Sequence, residues 1–89
     1  MDYNIYNFEN LEQTVNLMFS DDYKDRFKAE YIQLKIRLTK LENMVDKYYN
    51  GTLDIQLNCD INVLTEQLLA MYSYLQSLEK RAKIEGITF

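Results

Sequence analysis

The 89-residue chain has no proline, no histidine and no tryptophan, and it has only two glycines and one cysteine. Almost nothing interrupts a helix, and Gly51 and Gly86 lie where periodic apolar runs stop, so the composition indicates a single all-α domain. Without histidine the chain lacks the commonest general base and metal ligand, and it has no glycine-rich loop for phosphates. We therefore expect no enzyme activity, no metal and no cofactor.

The single cysteine and the absence of long apolar runs bear on location. Because Cys59 is the single cysteine, the chain cannot form an internal disulfide, and this composition suits a reducing compartment. No apolar run approaches the roughly 18 residues of a membrane span, and residues 1–9 do not resemble a signal peptide. The net charge is −4 and the pI is near 4.7, which argues against a nucleic-acid-coating protein. We expect a cytoplasmic protein with no membrane or DNA partner.

Two long stretches carry apolar residues at alternating spacings of three and four, which is typical of helices that bury one stripe. The first seam consists of Phe27, Tyr31, Leu34, Leu38, Leu41, Val45 and Tyr48. The second seam consists of Ile61, Leu64, Leu68, Met71, Leu75, Leu78 and Ala82. The pattern predicts helices over residues 22–49 and 60–85 that form a long antiparallel hairpin, with Phe27 opposite Ala82.

Shorter elements are predicted on either side of the first long helix. A short amphipathic helix over residues 7–19 is expected, capped by Asn7. Its apolar face would consist of Phe8, Leu11, Val15, Met18 and Phe19. Residues 50–59 are expected to form an extended connection that tucks Leu53, Ile55 and Leu57 onto the end of the hairpin, since one short strand has no partner here.

Each long helix also carries a second face that a hairpin leaves uncovered. On the first helix this face consists of Ala29, Ile32 and Ile36, and on the second of Val63, Gln67, Ala70, Tyr74 and Ser77. The short helix can cover only part of this surface, so we expect a helical-bundle homo-oligomer, a dimer or higher. The other interpretation is a monomeric three-helix bundle with some exposed apolar residues.

Antiparallel pairing brings the basic start of the first long helix beside the basic end of the second. Cations and aromatic rings together are what an aromatic phosphate ligand requires. The candidate ligand-binding residues are Tyr23, Lys24, Arg26, Lys28, Tyr74 and Arg81. The alternative is that the cations near Arg81 compensate a helix dipole and that Asp25 and Glu30 neutralise neighbouring basic residues.

Several of these positions also carry a family resemblance. They are Tyr23-x-x-Arg26, Glu30, Leu34 and Lys40-Leu41, followed by Leu68, Met71, Tyr74, Leu78 and Arg81-Ala82. The segments DYKDRFKAEYIQLKIRLTKLENMVDKYYNGTL and EQLLAMYSYLQSLEKRAKIEGI resemble small helical proteins of tailed bacteriophages related to a crAss-like phage protein. The resemblance covers about two thirds of the chain and implies a phage or prophage origin, while the family has no common activity to carry over.

Phages also encode small oligomeric helical proteins that bind the cyclic nucleotide signals of bacterial immune systems. This chain is similar to them in size, in acidity and in its combination of aromatic and basic residues. We therefore expect a phage-encoded, non-enzymatic counter-defence protein that sequesters a nucleotide-type signal. The alternative is a protein–protein interaction module that binds a host or phage protein through its second helical face.

Overall fold

Two long helices and a short N-terminal segment make up the part of the chain that the computed structural model describes, residues 10–89. The N-terminal segment (residues 11–18) is a 3₁₀ helix, Leu11–Thr14, followed by α1, Val15–Met18. The long helices are α2, Tyr23–Asn50, and α3, Ile61–Glu85. Residues 10–89 contain no strand, so the predicted all-α class is confirmed.

The ends of the two long helices are set by residues of the expected types. Asp22 and Asp60 accept hydrogen bonds from backbone N–H groups in the first turns of α2 and α3, which satisfies donors that a helix start leaves unpaired. Gly51 ends α2 at φ 73° and Gly86 ends α3 at φ 70°. A side chain at either position would be strained, because L-residues rarely adopt this left-handed conformation.

The two predicted seams form the core between α2 and α3. Their buried members are Phe27, Tyr31, Leu34, Leu38 and Val45 on α2, and Leu68, Leu75, Leu78 and Ala82 on α3. The Tyr23 hydroxyl donates to Glu85 over 3.0 Å, so the start of α2 lies beside the end of α3. The hairpin is therefore antiparallel, as predicted. Tyr48, beside the connection, is exposed.

The last three residues extend the core in a way that the seams did not predict. After Gly86 the Ile87 N–H donates to the Ala82 carbonyl over 2.8 Å, and the Ile87 side chain is buried. The Phe89 ring stacks on Tyr31 with 4.0 Å between ring centroids. The left-handed turn at Gly86 thus directs the chain back over the hairpin and covers its open end.

The N-terminal segment packs on α2 through a different face from the predicted one. Leu17 is only 3% exposed, whereas Val15 is 40% and Phe19 is 80% exposed, so the predicted face is wrong for Val15, Met18 and Phe19. A 3₁₀ helix has three residues per turn, so a row with a spacing of three faces α2. This row consists of Leu11, Thr14 and Leu17. The predicted cap Asn7 and Phe8 lie outside the described residues, and Asn10 caps the 3₁₀ helix.

The connection between α2 and α3 has no regular secondary structure, as expected. The N–H groups of Thr52 and Leu53 donate to the Lys47 carbonyl at the end of α2. Leu53 and Leu57 are half-buried, but Ile55 is 58% exposed, so it does not tuck onto the hairpin as predicted. No helix among residues 10–89 is long and apolar enough to cross a membrane.

The orientation of the N-terminal segment predicts effects of different size for two nearby substitutions. Leu17→Ala removes a buried side chain and should lower the free energy of unfolding by about 2–4 kcal/mol. Val15→Ala alters an exposed side chain of the same helix and should change it by less than about 1 kcal/mol. Urea denaturation followed by circular dichroism measures both, and equal effects would contradict the observed face.

Candidate functional site

A surface groove of about 380 Å³ lies where the N-terminal segment, α2 and α3 meet. α2 forms most of it, while α1 and α3 each contribute one side chain. Its lining consists of Met18, Arg26, Ala29, Glu30, Gln33, Leu34, Arg37 and Tyr74. A volume of this size lies within the range of small-molecule sites.

The polar part of the lining is a row along α2. Arg26, Glu30, Gln33 and Arg37 follow one another at spacings of four, three and four, so they share one side of the helix. This row is the apolar seam shifted by one residue, and it therefore lies along the edge of the hairpin core. The seam fixes which way these four side chains point.

The two arginines of the groove differ in their contacts. The Arg26 guanidinium donates to the Ser20 carbonyl over 2.6 Å, a neutral partner, and it forms no ion pair with a residue of the described range 10–89. No described side chain forms a hydrogen bond or an ion pair with Arg37 in residues 10–89. Both guanidinium groups are therefore able to bind an anion, and their planar forks suit phosphate oxygens.

The middle of the groove is crossed by a contact between the two long helices. The Tyr74 hydroxyl of α3 donates to the Glu30 carboxylate of α2. Tyr74 is 44% exposed, so part of its ring remains accessible at the groove's edge. The contact fixes the ring of Tyr74 beside the polar row of α2.

Tyr23 and Arg81 lie in a second cluster, close to the ends of α2 and α3. Arg81 donates from Nε to Glu85 over 3.2 Å, and it also donates to the Tyr23 hydroxyl. Its guanidinium carbon lies 4.9 Å from the centroid of the Phe27 ring. The hydrogen bond with Glu85 raises the pKa of Arg81 above its ordinary value.

This second cluster resembles a structural clasp more than an open anion site. Arg81 contacts a carboxylate, a hydroxyl and an aromatic face, so its charge is already paired with Glu85, although 48% of its side chain is exposed. The six predicted ligand residues are thus separated in space. Arg26 and Tyr74 line the groove, Tyr23 and Arg81 form the clasp, and Lys24 and Lys28 lie outside the described lining of the groove.

Part of the predicted oligomer face is used inside the chain. Ala29 and Ile32 are buried, and they share one core cluster with Leu17 of α1, while Gln33 donates to the Thr14 hydroxyl over 2.8 Å. The N-terminal segment therefore covers this face of α2, so Ala29 and Ile32 offer no surface to a second copy, and Ile36 is half-buried. The predicted residues of α3, Val63, Gln67, Ala70, Tyr74 and Ser77, are exposed.

Arg37, Glu30 and Gln33 line the groove but are not among the ligand-binding residues predicted from the sequence. The spacing of the polar row was available in the sequence, because it repeats the seam one residue earlier. The position of the N-terminal segment was not, since its 3₁₀ start changes which side chains face α2. The position of that segment determines which side chains line the groove. Arg26 and Arg37 line it, whereas Tyr23 and Arg81 of the clasp do not.

The comparison with known proteins identifies a family. A family model described as Sequestin matches residues 21–84. The matched range contains every groove residue except Met18. No curated protein and no solved structure matches the chain. Because the family model covers well over half of the sequence, the chain belongs to the Sequestin family.

Proposed function

We propose that this protein binds and sequesters a nucleotide-type signal, such as a cyclic nucleotide, of a bacterial immune system. It would be encoded by a phage and act as a non-enzymatic counter-defence protein. The name of its family, Sequestin, suggests sequestration. The groove supplies the matching chemistry. The observation that carries the proposal is that Arg26, Arg37 and Tyr74 line one groove.

Each of these three side chains has a role in the proposed binding. Arg26 and Arg37 would hold phosphate oxygens through charge-assisted hydrogen bonds, which are stronger than neutral ones. Tyr74 would stack on the base, since its partly exposed ring lies at the edge of the same groove. Glu30 and Gln33 lie between the arginines and can accept hydrogen bonds from hydroxyl or amino groups of the ligand.

The groove is suited to binding rather than to catalysis. Its described lining has no serine, cysteine or histidine, so the usual nucleophile–base pair has no members there. Glu30 is the single carboxylate of that lining, and it already accepts a hydrogen bond from Tyr74. Sequestration requires only binding affinity, which the two arginines and the ring of Tyr74 can provide.

The competing proposal is a protein-interaction module. It is favoured by large apolar side chains that stay exposed on α3, with Leu69 at 62% and Ile84 at 75% exposure. Such a module would bind one host or phage protein stoichiometrically and would leave the groove unoccupied. The two proposals differ in whether a small nucleotide alone raises the melting temperature of the protein.

Thermal melting with a panel of cyclic and linear nucleotides tests the binding proposal. A ligand at 100 times its dissociation constant should add about 2.7 kcal/mol to the free energy of unfolding. For a chain of this size, that corresponds to a rise in Tm of about 10 °C or more. No shift with any member of the panel would contradict the nucleotide proposal and favour the interaction module.

Recovery of the ligand separates sequestration from catalysis. The protein is incubated with the nucleotide that raises its Tm, then denatured, and the released small molecules are analysed by mass spectrometry. The proposal expects the nucleotide to return chemically unchanged and in full amount. A converted product that accumulates with time would show that the protein is an enzyme.

Charge reversal at Arg37 tests the location of the site. Arg37→Glu removes a cation that has no described partner within the chain, so helicity should be unchanged. The nucleotide dissociation constant should rise at least about tenfold, because a charge-assisted hydrogen bond contributes about 1.5–3 kcal/mol.

Lys35→Glu is the matched control for this experiment. It makes the same change in net charge two residues away, on an exposed position outside the groove lining. Isothermal titration should show a small effect for Lys35→Glu and a large one for Arg37→Glu. Equal effects would mean that only the overall charge matters and that the groove is not the site.

A further inference from the structure

The exposed face of α3 has the form of a helix-pairing surface. Val63 is 52% and Tyr74 is 44% exposed. Together with Gln67, Ala70 and Ser77, they follow one another at spacings of four, three, four and three. At 100° per residue they occupy a strip about 80° wide, beside the buried seam of α3. We call this strip the α3 row (Val63, Gln67, Ala70, Tyr74 and Ser77).

Charges beside the α3 row have opposite signs at its two ends. Glu66 lies near the start of α3 and Lys80 lies near its end, and both are exposed. They are 14 positions apart, so about 21 Å separates them along the helix, and they cannot pair within one chain. Neither has a described ion-pair partner in residues 10–89.

A second copy of α3 running in the opposite direction matches this arrangement. In that orientation Glu66 of each copy faces the partner's Lys80, and the two pairs are related by a two-fold axis near Ser73. A parallel arrangement would place Glu66 against Glu66 and Lys80 against Lys80, which is repulsive. The charges of α3 therefore select the antiparallel arrangement.

The same antiparallel arrangement also matches large side chains with small ones. When each Tyr74 lies opposite the partner's Ala70 and each Gln67 opposite the partner's Ser77, Glu66 and the partner's Lys80 flank these layers with an offset of two residues, about 3 Å along the helix. A tyrosine against an alanine fills the interface without crowding. Small residues permit the interaxial distance of about 8–10 Å that is typical of packed helices. Charge and size thus favour the same antiparallel arrangement to within two residues.

We infer that the α3 row pairs two copies of this chain as an antiparallel dimer, with Glu66 of each copy beside the partner's Lys80. This goes beyond the proposed function, because the pairing needs no nucleotide, although Tyr74 belongs both to the α3 row and to the groove. It uses only the α3 part of the face predicted from the sequence. The α2 part is occupied by the N-terminal segment.

A charge swap tests the pairing and its register together. Glu66→Lys and Lys80→Glu should each raise the dimer dissociation constant about tenfold or more, because each creates two repulsive pairs. The double variant restores both pairs with the signs exchanged, and its dissociation constant should return to within about threefold of the unchanged protein. Sedimentation equilibrium without nucleotide measures these constants, and circular dichroism checks that helicity is retained.

Two outcomes of this experiment would overturn the inference. One is a monomer mass for the unchanged protein at every concentration tested. The other is a double variant that dimerises as weakly as the single variants, since rescue across 21 Å requires a second copy. Because no nucleotide is present, either result leaves the Arg37 titration unaffected, and the two proposals fail separately.

Cross-linking locates the two-fold axis independently. In a Cys59→Ser background, Ser73→Cys should form a disulfide-linked dimer under mild oxidation, because the two copies of position 73 meet at the axis. Gln76→Cys is the matched control, since it is exposed on α3 but points away from the α3 row. Cross-linking of Gln76→Cys without cross-linking of Ser73→Cys would show that a different face is used.

Discussion

The interlocking of the two apolar seams is the constraint on which the rest of this molecule depends. Burial of Phe27, Leu34 and Leu38 against Leu75, Leu78 and Ala82 holds α2 and α3 antiparallel. Once that pairing is set, the residue before each seam position on α2 lies at the edge of the core. The row Arg26–Glu30–Gln33–Arg37 therefore lies along this edge. The α3 row lies beside the seam of α3 and stays exposed. The proposed ligand site and the proposed dimer contact use the two edges that the core leaves uncovered.

The N-terminal segment determines which parts of those edges are covered and which stay exposed. It covers Ala29 and Ile32 and borders the groove with Met18, so the face of α2 that looked available for association belongs to the fold. At the end of the hairpin where α2 starts and α3 ends, Arg81 is held by Glu85, Tyr23 and Phe27. A cation that is already compensated gains less from a phosphate than one with only a neutral partner or none. The clasp therefore stabilises the hairpin end, while neither Arg26 nor Arg37 forms an ion pair with another residue in the described part of the chain.

Much of the fold was predictable because its signals are local and periodic. The spacings of three and four located both long helices, and Gly51 and Gly86 marked where they end. The face of the short N-terminal segment was mispredicted because a 3₁₀ start replaces a period of 3.6 with a period of three. The return of Ile87 and Phe89 over the core has no periodic signal at all. Of the six candidate ligand residues, Arg26 and Tyr74 line the groove, whereas Arg37 was identified only from the position of the N-terminal segment.

The central claim is that the row from Arg26 to Arg37, together with Tyr74, binds a nucleotide. Two-dimensional NMR of the whole chain during a nucleotide titration tests it most directly, because it reports the binding surface residue by residue. The account predicts saturable shifts concentrated at Arg26, Glu30, Gln33, Arg37 and Tyr74, with little change at the connection around Cys59. Saturable shifts centred on the clasp of Tyr23, Arg81 and Glu85, or on the connection, would contradict it.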